Sequence, residues 1–232
     1  MFLLRMPRIM GKLSLGAVVL VFLGGLLYKN NDFISLGGVL FKYKGSAAVV
    51  KVPEGTKTIG KGAFARNETA ERIELPDSVD SVRDLAFAGC SSLKRVRLSK
   101  NLTQIGKGAF MGCASLERIT VPSRITNIEE FTFARCSSLE SVTLPSELLA
   151  IRSNAFAGCK SLKAIAFPPK LAAIESGAFG LCGLLGTVTL GPCITTIGPA
   201  AFVPGGKLVI RAKKDSCAEK YAKKMHIKLE LY

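Results

Sequence analysis

The chain has 232 residues, 48% hydrophobic and 21% charged, ample for one large folded domain or two small ones. Its formal charge is +15, but Arg5, Arg8, Lys12 and Lys29 flank an N-terminal apolar run, and the residues from 30 onward carry +11. That balance admits an acidic glycan, an acidic protein or an anionic membrane as partner; nucleic acid is excluded, since there is no zinc-finger spacing, no RNP-like strand and no basic run with interleaved aromatics.

The first predicted element is the uncharged run Leu13 to Tyr28, preceded by three positive residues and followed by Lys-Asn-Asn-Asp. It has no polar face, so a buried core helix is a poor reading. The layout is that of a hydrophobic helix serving as a signal peptide or a signal-anchor transmembrane segment over residues 1–30. The run is slightly long for the first and slightly short for the second, and both readings stay open. Positive-inside flanks put the rest of the chain outside the cytoplasm in either case.

From there the chain beats with a period of 23 residues. Phe64, Phe87, Phe110, Phe133, Phe156, Phe179 and Phe202 keep that period, with Ile or Val five positions before each. Cys90, Cys113, Cys136, Cys159 and Cys182 follow three positions after five of them. A fixed period of this size predicts a solenoid of stacked coils, a strand-dominated α/β architecture that works by presenting a surface. Within each unit Leu-x-x-Val-x-Leu-Pro alternates, as in Leu93, Val96 and Leu98, and reads as a short strand with its apolar side inward. About seven coils stacked at roughly 4.8 Å give a parallel ladder on the order of 30 Å long. Val79-x-x-Val82 and its equivalents suit a second short strand or a turn, and Gly-x-x-Ala-Phe suits one turn of helix or 3₁₀. The Ala column at 63, 86, 109, 155, 178 and 201 implies close passage of neighbouring coils, and Thr132 is its one departure.

The Phe column reads as a stacked core spine. The Cys column is not a metal site, because zinc ligands recur every two to five residues. It is also a poor disulfide ladder, because in-register side chains lie about 4.8 Å apart at Cβ where a disulfide needs about 3.5–4.5 Å. Buried small residues are the simplest account. Cys193 and Cys217 fall off the column, and whether they pair stays open. Asn67-Glu-Thr and Asn101-Leu-Thr are sequons that matter only in a eukaryotic secretory route.

At the C-terminus Ser216-x-x-Glu219 predicts a capping box. Ala218, Tyr221, Ala222 and Met225 then give a helix one apolar face, and Ile227, Leu229 and Leu231 alternate as a final strand. Residues 207–232 hold 8 basic against 3 acidic side chains, a solvated cap that blocks end-to-end polymerisation and leaves the chain monomeric.

The unit I-G-x-x-A-F-x-x-C-x-S-L-x-x-V-x-L-P resembles the BspA-type leucine-rich repeat, over about residues 36–232. The resemblance implies a right-handed leucine-rich-repeat solenoid: a parallel sheet on one face, short strands or 3₁₀ turns on the other, and a helix-plus-strand C-terminal cap. It divides the chain into an N-terminal capping segment at 31–58, repeats at 59–206 and a cap at 207–232. It further implies an exported or cell-surface protein engaged in adhesion and host or matrix binding.

On the outward positions of the strands, Arg72, Arg95 and Arg118 form one column and Glu74 and Arg97 begin the next. Arg72, Arg95, Arg97 and Arg118 are therefore the candidate ligand-binding residues, suited to an extracellular protein or acidic glycan. The later positions, Ala164, Ala166, Thr187 and Thr189, are small and neutral. The only His is His226, and there is no nucleophile elbow, H-E-x-x-H or phosphate loop, so neither an enzyme nor a cofactor is expected. A structural scaffold without a discrete ligand and a secreted modulator of a host receptor are the alternative readings.

Overall fold

The structure is a computed structural model that describes residues 18–22, 25–29, 32–203 and 207–232. It is a strand-dominated parallel solenoid of about eight turns with one short C-terminal helix. The front face carries the longer strands. Val49–Lys51, Arg72–Glu74 and Arg95–Arg97 pair in parallel, as do Arg118–Thr120 with Ser141–Thr143 and Thr187–Leu190 with Val209–Ala212 and Lys228–Leu231. Their central residues, such as Ile73, Ile119 and Val142, are buried while the flanking ones face solvent. That alternation is why they settle as strands on a one-sided core. The back face carries two-residue strands from the Ile column, among them Thr58–Ile59, Ser81–Val82 and Gln104–Ile105, then Asn127–Ile128, Ala150–Ile151, Ala173–Ile174 and Thr196–Ile197.

The Gly-x-x-Ala-Phe edge is not the helical turn the sequence suggests. It is a run of tight turns closed by bonds such as Ala63 N to Gly60 O and Ala65 N to Gly62 O, both 3.1 Å. The reason is two left-handed residues per coil, at the Gly62 and Arg66 positions and their equivalents, which break any helix. The intervening amides point along the stack instead: Gly62 N reaches Asp84 O at 3.2 Å, Phe64 N reaches Ala86 O at 2.7 Å and Arg66 N reaches Ala88 O at 2.8 Å. The turn edge is therefore a third ladder between coils.

Inside, the seven Phe rings stack face to face, with successive centroids 5.0 to 5.5 Å apart and no ring more than 1% exposed. Tyrosine extends the stack at both ends, and Phe33 lies beyond Tyr43 at 5.0 Å. Tyr43 stacks on Phe64 at 5.1 Å and supplies a ring that the Phe period misses, and its hydroxyl accepts from Ala47 N. Tyr221 packs edge-on against Phe202 at 6.2 Å. Its hydroxyl accepts from Phe202 N at 3.0 Å and donates to Phe202 O at 3.2 Å, satisfying the last rung of the ladder. Tyr221 lies on the helix Cys217–Lys224, capped by Ser216, whose side chain accepts from Glu219 N. The Glu219 carboxylate takes the backbone N–H of Asp215, one residue earlier than a standard capping box.

The N-terminal segment departs from its sequence reading. Where it is described, Val18–Phe22 and Gly25–Lys29 form an antiparallel strand pair, and Gly25–Lys29 continues onto Phe33–Leu36. The β-branched Val18, Val19 and Val21 favour a strand, and Gly24 and Gly25 weigh against a helix. Among the described residues no helix is long and apolar enough to cross a membrane. The remainder of the expected hydrophobic helix lies outside the described residues.

Candidate functional site

The candidate arginines sit on the front face, in register: Arg72 beside Arg95 and Glu74 beside Arg97. Each long side chain projects from an outward position of a short strand. Arg72 turns back to its own strand and pairs with Glu74 at 2.9 Å, while Arg95 reaches Glu117 at 3.8 Å and Arg97 reaches Asp77 at 3.7 Å. Arg118 has no ion-pair partner among the described residues. The arginines are well exposed, so each pair is worth at most about 1 kcal/mol and is readily exchanged for a ligand anion.

Three of the four arginines converge. Arg95, Arg97 and Arg118 line a groove of about 840 Å³ together with Lys100, and its floor includes Val96 and Leu98. Lys100 donates to Asp77 at 3.2 Å and holds that carboxyl below the usual carboxylate range. Arg72 lies outside the groove lining.

The groove exists because the solenoid has a seam. The front strand Arg95–Arg97 and the back strand Gln104–Ile105 each end a sheet, and the next coil, with Arg118–Thr120 and Asn127–Ile128, starts two others. Equivalent bonds are made in other coils, as from Leu75 N to Arg97 O and from Val121 N to Thr143 O, both 2.9 Å. Among the described residues Leu98 N makes no such bond. The turn edge still joins the two coils, through Phe110 N to Thr132 O at 2.9 Å. The Phe110 to Phe133 centroid distance, 5.5 Å, is the widest in the Phe stack. Thr132 stands at this seam, in the column that Ala fills in the other coils, and is fully buried. Its hydroxyl donates to Glu129 O at 2.8 Å and lies 3.5 Å from Gly106 O of the preceding coil. At the seam Val96 and Leu98 are only partly buried, where Ile73 and Leu75 are sealed. The departure of Thr132 from its column falls at this seam; the contribution of Lys100 had no sequence signal.

The front face breaks a second time at Lys163–Phe167, which forms no strand. This is the neutral half of the face, with Ala164 and Ala166.

The cysteines are structural in geometry. Each of the five thiols donates to the carbonyl of the Phe 26 residues earlier, as Cys90 Sγ to Phe64 O at 3.1 Å and Cys136 Sγ to Phe110 O at 3.2 Å. Burial pushes Cys136 and Cys182 up to about 12 and raises Cys159 as well. Asn67 takes the same position in the first coil, donating to Gly45 O at 3.1 Å and accepting from Ala70 N at 2.8 Å. The amide of the other sequon, Asn101, donates to Asp77 O at 2.9 Å. Cys193 and Cys217 are free thiols, and His226 is exposed just past the helix rather than on it. Among the described residues no group of three His, Cys, Asp or Glu side chains could hold a metal ion.

A coil with one Leu strand, one Ile strand and a thiol-capped Phe turn is the unit of a known repeat. The profile of the BspA type leucine rich repeat region matches residues 34–148 and 126–208, in six copies. The chain belongs to the BspA-type leucine-rich repeat family. Solved structures of this repeat class superpose on it. A leucine-rich repeat protein of T. pallidum is 27% identical, with a TM-score of 0.69 over 83% of this chain and 89% of its own. One from Eubacterium ventriosum is 24% identical with a TM-score of 0.69, covering 79% of this chain and 48% of its own. One from Bacteroides ovatus is 21% identical with a TM-score of 0.59, covering 95% and 67%. Among curated proteins nothing matches the chain. Proteins built on these repeats are in general binding scaffolds rather than enzymes.

Proposed function

We propose that the chain is a non-enzymatic binding module, exported to the cell surface or beyond, that recognises an acidic extracellular protein or glycan through its front face. The observation that carries this is the convergence of Arg95, Arg97, Arg118 and Lys100 on one groove, with Arg118 free of any ion pair among the described residues. A carboxylate or sulfate entering the groove meets guanidinium donors in bidentate geometry. It also finds apolar footing on Val96 and Leu98. Arg72 extends the positive column toward the N-terminal end. The uncharged run Leu13 to Tyr28 behind three positive residues supports export, as a cleaved signal or as an anchor; sequencing the N-terminus of the mature protein separates the two.

The test is an array of matrix proteins and sulfated or sialylated glycans probed with the full chain. Binding that disappears in Arg95→Glu with Arg118→Glu, and weakens as salt rises, supports the proposal. Unchanged affinity in that double variant overturns it. Binding to no array member favours a structural scaffold.

A further inference from the structure

The turn edge, away from the front groove, carries two features that folding does not explain. The first is strain. The position two residues before each Phe is left-handed in every repeat coil. It is Gly at 62, 108 and 177 and Asn at 154, the residues that accept such a backbone, and the small Ala at 200. At two coils it is instead a large apolar residue, Leu85 with φ 56° and Phe131 with φ 58°. Both residues stay exposed, at 36% and 44%, so burial is incomplete at two strained positions. Strain held against the chain's own pattern is a mark of a functional position.

The second feature is charge without counter-charge. Leu85 and Met111 line a groove of about 670 Å³ with Lys61, Arg66 and Arg135. Those three cations have no ion-pair partner among the described residues, whereas the neighbouring Lys107 is held by Glu130 at 3.0 Å. Arg66 and Arg135 occupy the second left-handed position, and between them in that column stand Gly89 and Gly112. Three coil spacings separate the two arginines, about 14 Å. Carboxylates at i and i+4 of an extended strand are also about 14 Å apart and point the same way, as does the side chain at i+2.

We infer that the turn edge is a second binding site, for an extended acidic peptide. Its carboxylates at i and i+4 engage Arg66 and Arg135. Its apolar residue at i+2 lies over the glycine floor, against Leu85 and Met111, with Phe131 in the adjoining groove beside Asp84 and Lys107. This site is independent of the front groove.

The probe is a fluorescein-labelled peptide with Glu at i and i+4 and Leu at i+2, titrated against the full chain by fluorescence anisotropy. A peptide with Lys in place of Glu and vesicles of phosphatidylglycerol and phosphatidylcholine serve as comparisons. Saturable binding of the acidic peptide is expected, weakened roughly tenfold or more by Arg66→Glu with Arg135→Glu. It is unchanged by Arg95→Glu with Arg118→Glu. Leu85→Gly and Phe131→Gly are expected to weaken binding while leaving the thermal midpoint the same or higher, because glycine relieves the left-handed strain. Equal binding by the Arg66 and Arg135 double variant, preference for vesicles over peptide, or glycine variants that lower the midpoint with binding intact would each overturn the inference.

Discussion

Raising the pH should unfold this protein through its cysteine column. In the native state burial lifts the Cys136 and Cys182 thiols from an ordinary 9.0 to about 12, and Cys159 rises for the same reason. Each thiol is fully or nearly fully buried. Between pH 9 and pH 12 the unfolded chain therefore releases protons that the folded chain keeps, and equilibrium shifts toward unfolding. The contribution is intact below about pH 9 and falls by roughly 1 kcal/mol per pH unit per thiol above it. Three such thiols remove about 4 kcal/mol by pH 10, a large share of the roughly 5–15 kcal/mol that holds a domain together. Urea denaturation followed by circular dichroism at pH 7.5, 9 and 10, under reducing conditions, measures it. Cys136→Ala isolates one thiol: its stability deficit at pH 7.5 should shrink by roughly 1 kcal/mol at pH 10, because the variant has no such proton to lose. A pH profile for Cys136→Ala that parallels the wild type would refute the reasoning, as would a wild type equally stable at pH 8 and pH 10.

Three further outcomes follow from the packing. Phe133→Ala empties a buried position between rings at 5.5 and 5.2 Å and should cost about 3–5 kcal/mol, a fall in thermal midpoint of roughly 6–20 °C. Tyr221→Phe removes both hydroxyl bonds to the Phe202 backbone, strands a buried amide and should cost about 1–3 kcal/mol, with the largest rise in hydrogen exchange at Phe202. Thr132→Ala should let the seam close, so that the Leu98 amide gains exchange protection and binding in the front groove changes; an unaltered Leu98 exchange rate would show that Thr132 does not hold the coils apart.

The spine was legible because burial imposes a period. A ring that stacks on its neighbours must recur at the coil length, and so must the small residue beside it. The departures were legible as departures but not as geometry. Thr132 could be seen to break the Ala column, yet only the packed coils show that it coincides with broken sheets on both faces. Tyr43 was hidden because it precedes Phe64 by 21 residues rather than 23. The helical turn expected before each Phe failed for a local reason: Leu85, Phe131, Arg66 and Arg135 occupy left-handed positions that their residue types do not advertise.

The sequence by itself determined the repeat, the alternation of each strand and the identity of the core, since these depend on which side chains leave water at a fixed interval. It also placed Arg72, Arg95 and Arg118 in one column. Only the tertiary structure decided which of them share a groove. That depends on how adjacent coils pack against one another, a matter of contacts between residues far apart in the chain and not of any local pattern.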